Sequence, residues 1–228
     1  MIAEPKPVEK RKISKVVIID DHPIVAKGLS LLLDKQPDLT ICGDVDNARG
    51  ALQLIKEKTP DLAIIDISLK GMSGLELTSD IRNRYPDVRI LVLSMHDEFL
   101  YAERALEAGA AGYVMKKERS GTILEAIRQI LKGAVYVSEN IKDQMLKNIV
   151  YGKGGHRSPS VRDLSNRELE VFQMVGQGFS TGEIAERLHL SKKTIHTYRF
   201  QIKNKLGLKS AKDLNKYAIK WRHVDRPS

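Results

Sequence analysis

The chain has 228 residues, enough for two modest domains, and a formal net charge of +9. One cysteine, Cys42, excludes an internal disulfide and fits a reducing cytosol. The apolar runs are too short for a membrane span, and residues 1–13 lack the apolar core of a secretory signal and read as a short disordered tail. In chain order, strands are expected near 15–20, 39–45, 62–67, 89–94 and 112–116. Helical apolar faces lie between and after them. Ile24, Val25, Leu29 and Leu31–Leu33 form the first, stopped by Pro37. Ala51, Leu52, Leu54 and Ile55 form the second, stopped by Pro60. Leu75, Leu77 and Ile81 form the third, stopped by Pro86. Leu100, Ala102 and Leu106 form the fourth, and Ile123, Leu124, Ile127, Ile130 and Leu131 the fifth, each closed by a glycine. Five strands alternating with five helices predict an α/β doubly wound parallel sheet over residues 14–135.

Residues 136–159 change character. SENIKDQMLKNIV suits a short helix, and the Gly-, Ser- and Pro-rich stretch after it reads as a flexible linker. From 160 to about 225 there are no strand signals. Ser165 with Glu168 is a capping box, and Ser180, Ser191 and Ser210 open further helices. The expectation is a small all-α unit of four helices containing a helix-turn-helix at about 181–200. Charge divides between the units. Residues 14–137 carry 16 Lys/Arg against 18 Asp/Glu, net −2, whereas 160–228 carry 14 against 7, net +7. The basic unit suggests a polyanionic partner.

The chemistry gathers where the apolar runs stop. Val16–Ile19 runs into Asp20 and Asp21, Leu62–Ile65 into Asp66, Ile90–Leu93 into Ser94, and Gly112–Met115 into Lys116. Continuous apolar runs are the mark of buried parallel strands. Ligands of open α/β sheets bind beyond the strands' carboxyl ends. One strand-end aspartate is a common helix cap, but three carboxylates crowded together repel, and a divalent cation relieves that repulsion. Oxygen-only donors suit Mg²⁺. Asp66 is then the natural nucleophile for a phosphoryl group, with Lys116 neutralising its oxygens and Ser94 donating a hydrogen bond. A dinucleotide site would need glycines where Asp-Asp-His-Pro stands, and a haloacid-type phosphatase would need a carboxylate at position 68, which is Ser. His22 is read as a surface residue at a helix start.

Residues 15–135 resemble the receiver domain of bacterial two-component response regulators, through VVIIDDHPIVAKGL, DLAIIDISLKGMSGLEL, ILVLSMHDE and AGAAGYVMKK. The resemblance implies that Asp66 is the phospho-acceptor, that Asp20 and Asp21 hold Mg²⁺ with Asp66 and the main-chain carbonyl of Ser68, and that Ser94 and Tyr113 are the switch pair. Lys116 would be the phosphate-binding lysine. Three residues depart from the family pattern: Lys70 in place of proline, Met95 in place of a small residue, and Lys117 where an acid is common. Lys70 brings charge beside the site, and Met95 is expected to crowd the phosphoryl approach.

LSNRELEVFQMVGQGFSTGEIAERLHLSKKTIHTYRFQIKNKLGLKSAKDL, within residues 161–222, resembles the LuxR-type DNA-binding domain, and the two units together resemble the NarL/FixJ type of regulator. On the helix from about 192, Ile195, Tyr198, Ile202 and Leu206 are expected to face inward. Lys192, Lys193 and Lys203 suit phosphates, His196, Thr197 and Phe200 suit base edges, and Arg199 suits either. Thr181 and Thr194 suit phosphates or caps equally. The last helix, with Lys212, Lys216 and Lys220 on one face, pairs two domains in the family. Tyr217 is assigned to the core, while Trp221 fits either the core or the pairing surface. The resemblance implies a cytoplasmic, non-enzymatic transcription regulator, phosphorylated by a sensor histidine kinase and dimerising when phosphorylated or on double-stranded DNA. RNA polymerase is a further candidate partner. The competing expectation is a phosphorylation-independent DNA binder whose receiver serves dimerisation or docking.

Overall fold

The structure is a computed structural model that describes residues 13–150 and 160–224. The alternation read from the sequence is present as β1 (Ser14–Ile19), α1 (Pro23–Leu33), β2 (Leu39–Val45), α2 (Ala48–Lys58), β3 (Leu62–Ile65), α3 (Gly74–Arg84), β4 (Arg89–Ser94), α4 (Glu98–Glu107), β5 (Gly112–Met115) and α5 (Ser120–Leu131). All strand pairs are parallel, in the order β2-β1-β3-β4-β5. The strand order reverses between β1 and β3, which opens a crevice at their carboxyl ends. Val16–Ile19 and Leu62–Ile65 are all buried. Alternate residues point to opposite faces. Val16, Ile18, Ile64 and Leu93 pack with Leu29, Ile123 and Ile127 of α1 and α5. Val17, Ile19, Ile65 and Val92 pack with Ile55, Leu77 and Tyr101 of α2, α3 and α4. Each such side chain stabilises by about 1.5–3 kcal/mol on burial, which fixes the strand ends to which the polar residues are attached.

The segment after α5 is less free than a linker. Tyr136 bridges to Gly112 beside β5, and α6 (Glu139–Val150) packs against α4 with Ile141 buried. The Gly-rich part of the expected linker lies outside the described residues, as do residues 1–12 of the expected tail. The C-terminal unit begins with a single 3₁₀ turn (Val161–Asp163) and continues as α7 (Asn166–Gly176), α8 (Thr181–Arg187), α9 (Lys192–Lys205) and α10 (Ala211–Val224). Ser165–Glu168 and Ser180–Glu183 form capping boxes, and Ser191 caps α9. Phe172 anchors this unit, with the rings of Tyr217 and Trp221 at 6.0 and 5.6 Å. Trp221 is therefore a packing residue.

The two units are docked. The apolar cluster on the α2–α4 side of the sheet continues through Val161, Leu164, Leu169 and Phe172. Arg104 of α4 donates to the carbonyls of Leu164 (2.7 Å) and Arg162 (2.9 Å) and to Asn166 Oδ1 (3.2 Å). Arg167 of α7 donates to Glu170 Oε2 at 2.6 Å and to the Leu69 carbonyl at 3.3 Å. Ser73 donates to Glu170 Oε1 at 3.4 Å. An ion pair of neighbouring turns of one helix is thus buried against the β3–α3 loop, which leaves Asp66 and enters α3.

Gly74, the first residue of α3, lies against that strand end. A Cβ there would sit 1.9 Å from the Asp66 carbonyl oxygen. Gly74→Ala should therefore force the β3–α3 loop outward and lower receiver stability by about 3 kcal/mol, measurable as a depressed thermal midpoint. The buried carboxyl at the interface yields a second expectation. Burial pushes Glu170 up to about 7 against the opposing pull of Arg167. Undocking returns it to water and to the ordinary carboxylate range. The raised value belongs to the docked state, so docking takes up a proton: its contribution is full below the ordinary range and is lost as pH rises through about 7. The docked fraction, followed by small-angle X-ray scattering, should fall as pH rises from about 4.5 to about 7 and level off above, and Glu170→Gln should flatten that dependence.

Candidate functional site

At the carboxyl edge of the sheet, Asp20 follows β1 and Asp66 follows β3, and both are buried. Lys116, directly after β5, reaches across the edge. Its Nζ lies 2.8 Å from Asp20 Oδ2 and 2.8 Å from Asp66 Oδ2, with the lysine side chain only 5% exposed. Such a cation between two buried carboxylates offsets their mutual repulsion. Asp21 is the third acid. Burial raises its pKa, while His22 pulls it down.

His22 has a larger part than the sequence suggested. It caps the start of α1, before Pro23, with its side chain 58% exposed. Its Nδ1 nevertheless lies 2.9 Å from Asp21 Oδ1, 3.2 Å from Asp20 Oδ1 and 3.6 Å from Asp66 Oδ2. Ligand atoms of Asp20, Asp21, His22 and Asp66 all fall within 4.8 Å of one another. The carboxylate set fits a hard divalent cation such as Mg²⁺. The position of His22 directly after the acid pair was the available signal, outweighed by the commonness of histidine at helix starts.

The remaining receiver residues surround this centre. Ser94 is fully buried at the end of β4, and its Oγ accepts from the His96 backbone N–H at 3.2 Å. Tyr113 is buried, its hydroxyl pKa well raised by desolvation, and it donates to the His96 carbonyl at 2.7 Å. Ser68, two residues beyond Asp66, is bonded through its hydroxyl to His96 Nε2 at 2.8 Å. Lys70 extends away to Asp46, 3.1 Å distant. Met95 is 70% exposed and lines a groove at the mouth of the site with His22, Val25 and Lys116.

His96 was not singled out by the sequence. Burial lowers its pKa, so the ring is neutral. Its Nδ1 lies 3.1 Å from Gln173 Oε1, which can only accept, so Nδ1 carries the proton and Nε2 accepts from Ser68. Tyr101 stacks on the same ring at 4.5 Å and donates to the same Gln173 oxygen at 3.1 Å.

In the C-terminal unit, α8 and α9 form the helix-turn-helix, with His189 in the left-handed region (φ 52°) at the turn between them. Ile195, Ile202 and Leu206 are buried and Tyr198 is half-buried. Lys192, Lys193, His196, Thr197 and Phe200 are exposed, and Phe200 is 60% open to solvent. Lys203 is half-buried, with its Nζ 5.1 Å from the centre of the Phe200 ring. Arg199 is half-buried and donates to Asn215 Oδ1 at 2.8 Å, tying α9 to α10. Ser191 Oγ, the cap of α9, accepts from the Thr194 backbone N–H and lies 2.8 Å from the Thr194 hydroxyl. Lys212, Lys216 and Lys220 are exposed along α10.

Residues 16–128 match the response regulator receiver domain family, and residues 162–218 match the luxR family of bacterial regulatory proteins. The oxygen regulatory protein NreC of Staphylococcus aureus strain MRSA252 is 36% identical over 215 residues, 92% of this chain and 99% of that protein. NreC of Staphylococcus carnosus strain TM300 is 34% identical over the same shares. Among solved structures, a LuxR-family two-component response regulator from Aurantimonas sp. is 34% identical with a TM-score of 0.57, covering 61% of this chain and 99% of that one. RcsB from Salmonella enterica serovar Typhimurium, bound to the rprA promoter in the presence of the phosphomimetic BeF3-, is 25% identical with a TM-score of 0.61, covering 91% and 99%. With both domains matched and the acid pocket and helix-turn-helix in place, the chain belongs to the two-component response regulators of the NarL/FixJ type, a receiver domain joined to a LuxR-type DNA-binding domain.

Proposed function

We propose that this response regulator binds double-stranded DNA through α9 under the control of a phosphoryl group carried on Asp66. The observation that carries this reading is the convergence of Asp20, Asp21, Asp66 and Lys116 on one strand edge, with Ser94 and Tyr113 beside them. A sensor histidine kinase would supply the phosphoryl group: its P–N bond breaks as a P–O bond to an Asp66 carboxylate oxygen forms, and the leaving imidazole takes up a proton. Mg²⁺ held by Asp20, Asp21, Asp66 and the Ser68 carbonyl would neutralise the phosphoryl oxygens. Lys116, already paired with Asp66, would keep one of those oxygens compensated. The Ser94 hydroxyl would turn to donate to another, with Tyr113 already buried beside it. The chain is in this reading the substrate of phosphotransfer, not an enzyme for a free metabolite, and it acts in the cytoplasm as a dimer on DNA.

On the DNA side, Lys192, Lys193 and Lys203 would contact phosphates, and His196, Thr197 and Phe200 the edges of bases in the major groove. The exposure of the last three supports this, as does the relation to RcsB, whose structures include promoter DNA. One observation favours a second reading. The docked receiver leaves His196, Thr197 and Phe200 open to solvent, so a regulator that binds DNA without phosphorylation, using its receiver for docking, is compatible with this arrangement.

Two outcomes are expected. With Mg²⁺ and acetyl phosphate, the wild-type chain should incorporate phosphate and Asp66→Ala should not; equal incorporation would remove Asp66 from its role. On sites selected from a random DNA pool, Lys193→Ala should weaken binding uniformly and reduce the salt slope by about 1, whereas Phe200→Ala should relax preference at one base position by about 1–3 kcal/mol.

A further inference from the structure

We propose that His96 is the positioning residue through which the state of Asp66 holds or releases the DNA-binding unit, and that Gln173 is its partner across the domain boundary. The proposal rests on the phospho-acceptor reading above and names the path that this reading requires.

The geometry gathers four connections on one residue. The His96 backbone N–H is held by Ser94 Oγ and its carbonyl by the Tyr113 hydroxyl. Its ring accepts from Ser68, in the loop that leaves Asp66, and donates to Gln173 of α7. His96 is thus bonded at once to both switch residues, to the phospho-acceptor loop and to the DNA-binding domain. Tyr101 backs the ring and shares the Gln173 oxygen. Ser94 cannot both accept from His96 in its present place and swing its hydroxyl onto a phosphoryl group at Asp66. Tyr113 is already buried and bonded to the His96 carbonyl, so the Ser94 bond is the restraint that a phosphoryl group would break. Activation therefore removes the Ser94 restraint on the His96 backbone. The ring loses the placement that its bond to Gln173 requires.

Loss of that bond exposes an intolerance at the interface. Gln173 Oε1 is the acceptor for two donors, the Tyr101 hydroxyl and His96 Nδ1, and Tyr101 is fully buried. Displacing His96 parts its Nδ1 from Gln173 Oε1 and leaves that oxygen with the Tyr101 hydroxyl alone, which weakens the hold of the receiver on α7. Coupling is reciprocal: if activation loosens docking, weakened docking must favour activation by the same factor.

The full-length chain tests this with beryllofluoride and Mg²⁺ as the phosphoryl mimic. Domain separation is read by small-angle scattering and beryllofluoride affinity by calorimetric titration. Gln173→Leu lies in the other domain and leaves every receiver group intact. It should shift the docking equilibrium toward the open form by about ten-fold or more without beryllofluoride, and beryllofluoride should bind correspondingly tighter. His96→Ala should open the chain likewise. A docked Gln173→Leu chain with wild-type beryllofluoride affinity, in a protein whose wild type opens on beryllofluoride, would overturn the relay alone. Failure of the wild type to bind beryllofluoride would overturn the phospho-acceptor reading and the relay with it.

Discussion

Two buried carboxylates and a lysine at the edge of a parallel sheet set the terms for the rest of the molecule. Asp20 and Asp66 are held there because the strands preceding them are wholly buried and cannot slide without exposing their apolar residues to water. Two negative charges at that separation repel each other. Lys116, at 2.8 Å from both acids, offsets that repulsion. The result is a concentrated, compensated charge cluster whose balance changes when a dianionic phosphoryl group arrives. A rearrangement of hydrogen bonds around it is then a consequence of electrostatics, and the neighbouring groups decide where it travels.

Those neighbours belong to two loops. The β3–α3 loop carries Ser68, Leu69 and Ser73, and the stretch between β4 and α4 carries Met95, His96 and Asp97. Both touch α7, through Arg167 and Glu170 on the first and Gln173 on the second. Arg104 adds a third attachment, to the segment leading into α7. Docking therefore uses surfaces adjoining the acid pocket, while His196, Thr197 and Phe200 of α9 remain exposed. In the proposed reading, control through this interface would act on how the DNA-binding unit is held and paired more than on whether its reading face is covered.

Much of this was legible in the sequence, for identifiable reasons. Buried parallel strands leave unbroken apolar runs, so the ends at Asp20, Asp66, Ser94 and Lys116 stood out. Serine caps three residues ahead of an acid marked the starts of α7 and α8. What the sequence concealed depends on contacts between distant segments. Arg167 and Glu170 look like an ordinary solvated pair one helical turn apart, and only docking buries them. His96 gains its importance from Gln173, 77 positions away. Arg199 carries the charge and the helix position of a DNA contact, and α10 also offers it Asn215 at 2.8 Å. Charged and polar residues have several acceptable partners, and local spacing does not choose among them.

The central claim is that a phosphoryl group on Asp66 changes how α9 engages DNA. The direct measurement is the affinity of the full-length chain for a selected DNA site, at one fixed salt concentration, before and after phosphorylation with Mg²⁺ and acetyl phosphate. Phosphate contacts make affinity steeply salt-dependent, so the comparison needs a constant ionic strength. The account predicts tighter binding after phosphorylation, by about ten-fold or more, within the range of ordinary allosteric coupling, and no change in Asp66→Ala protein treated identically. Equal affinity of the phosphorylated and unphosphorylated chains would contradict it and leave the receiver as a docking module.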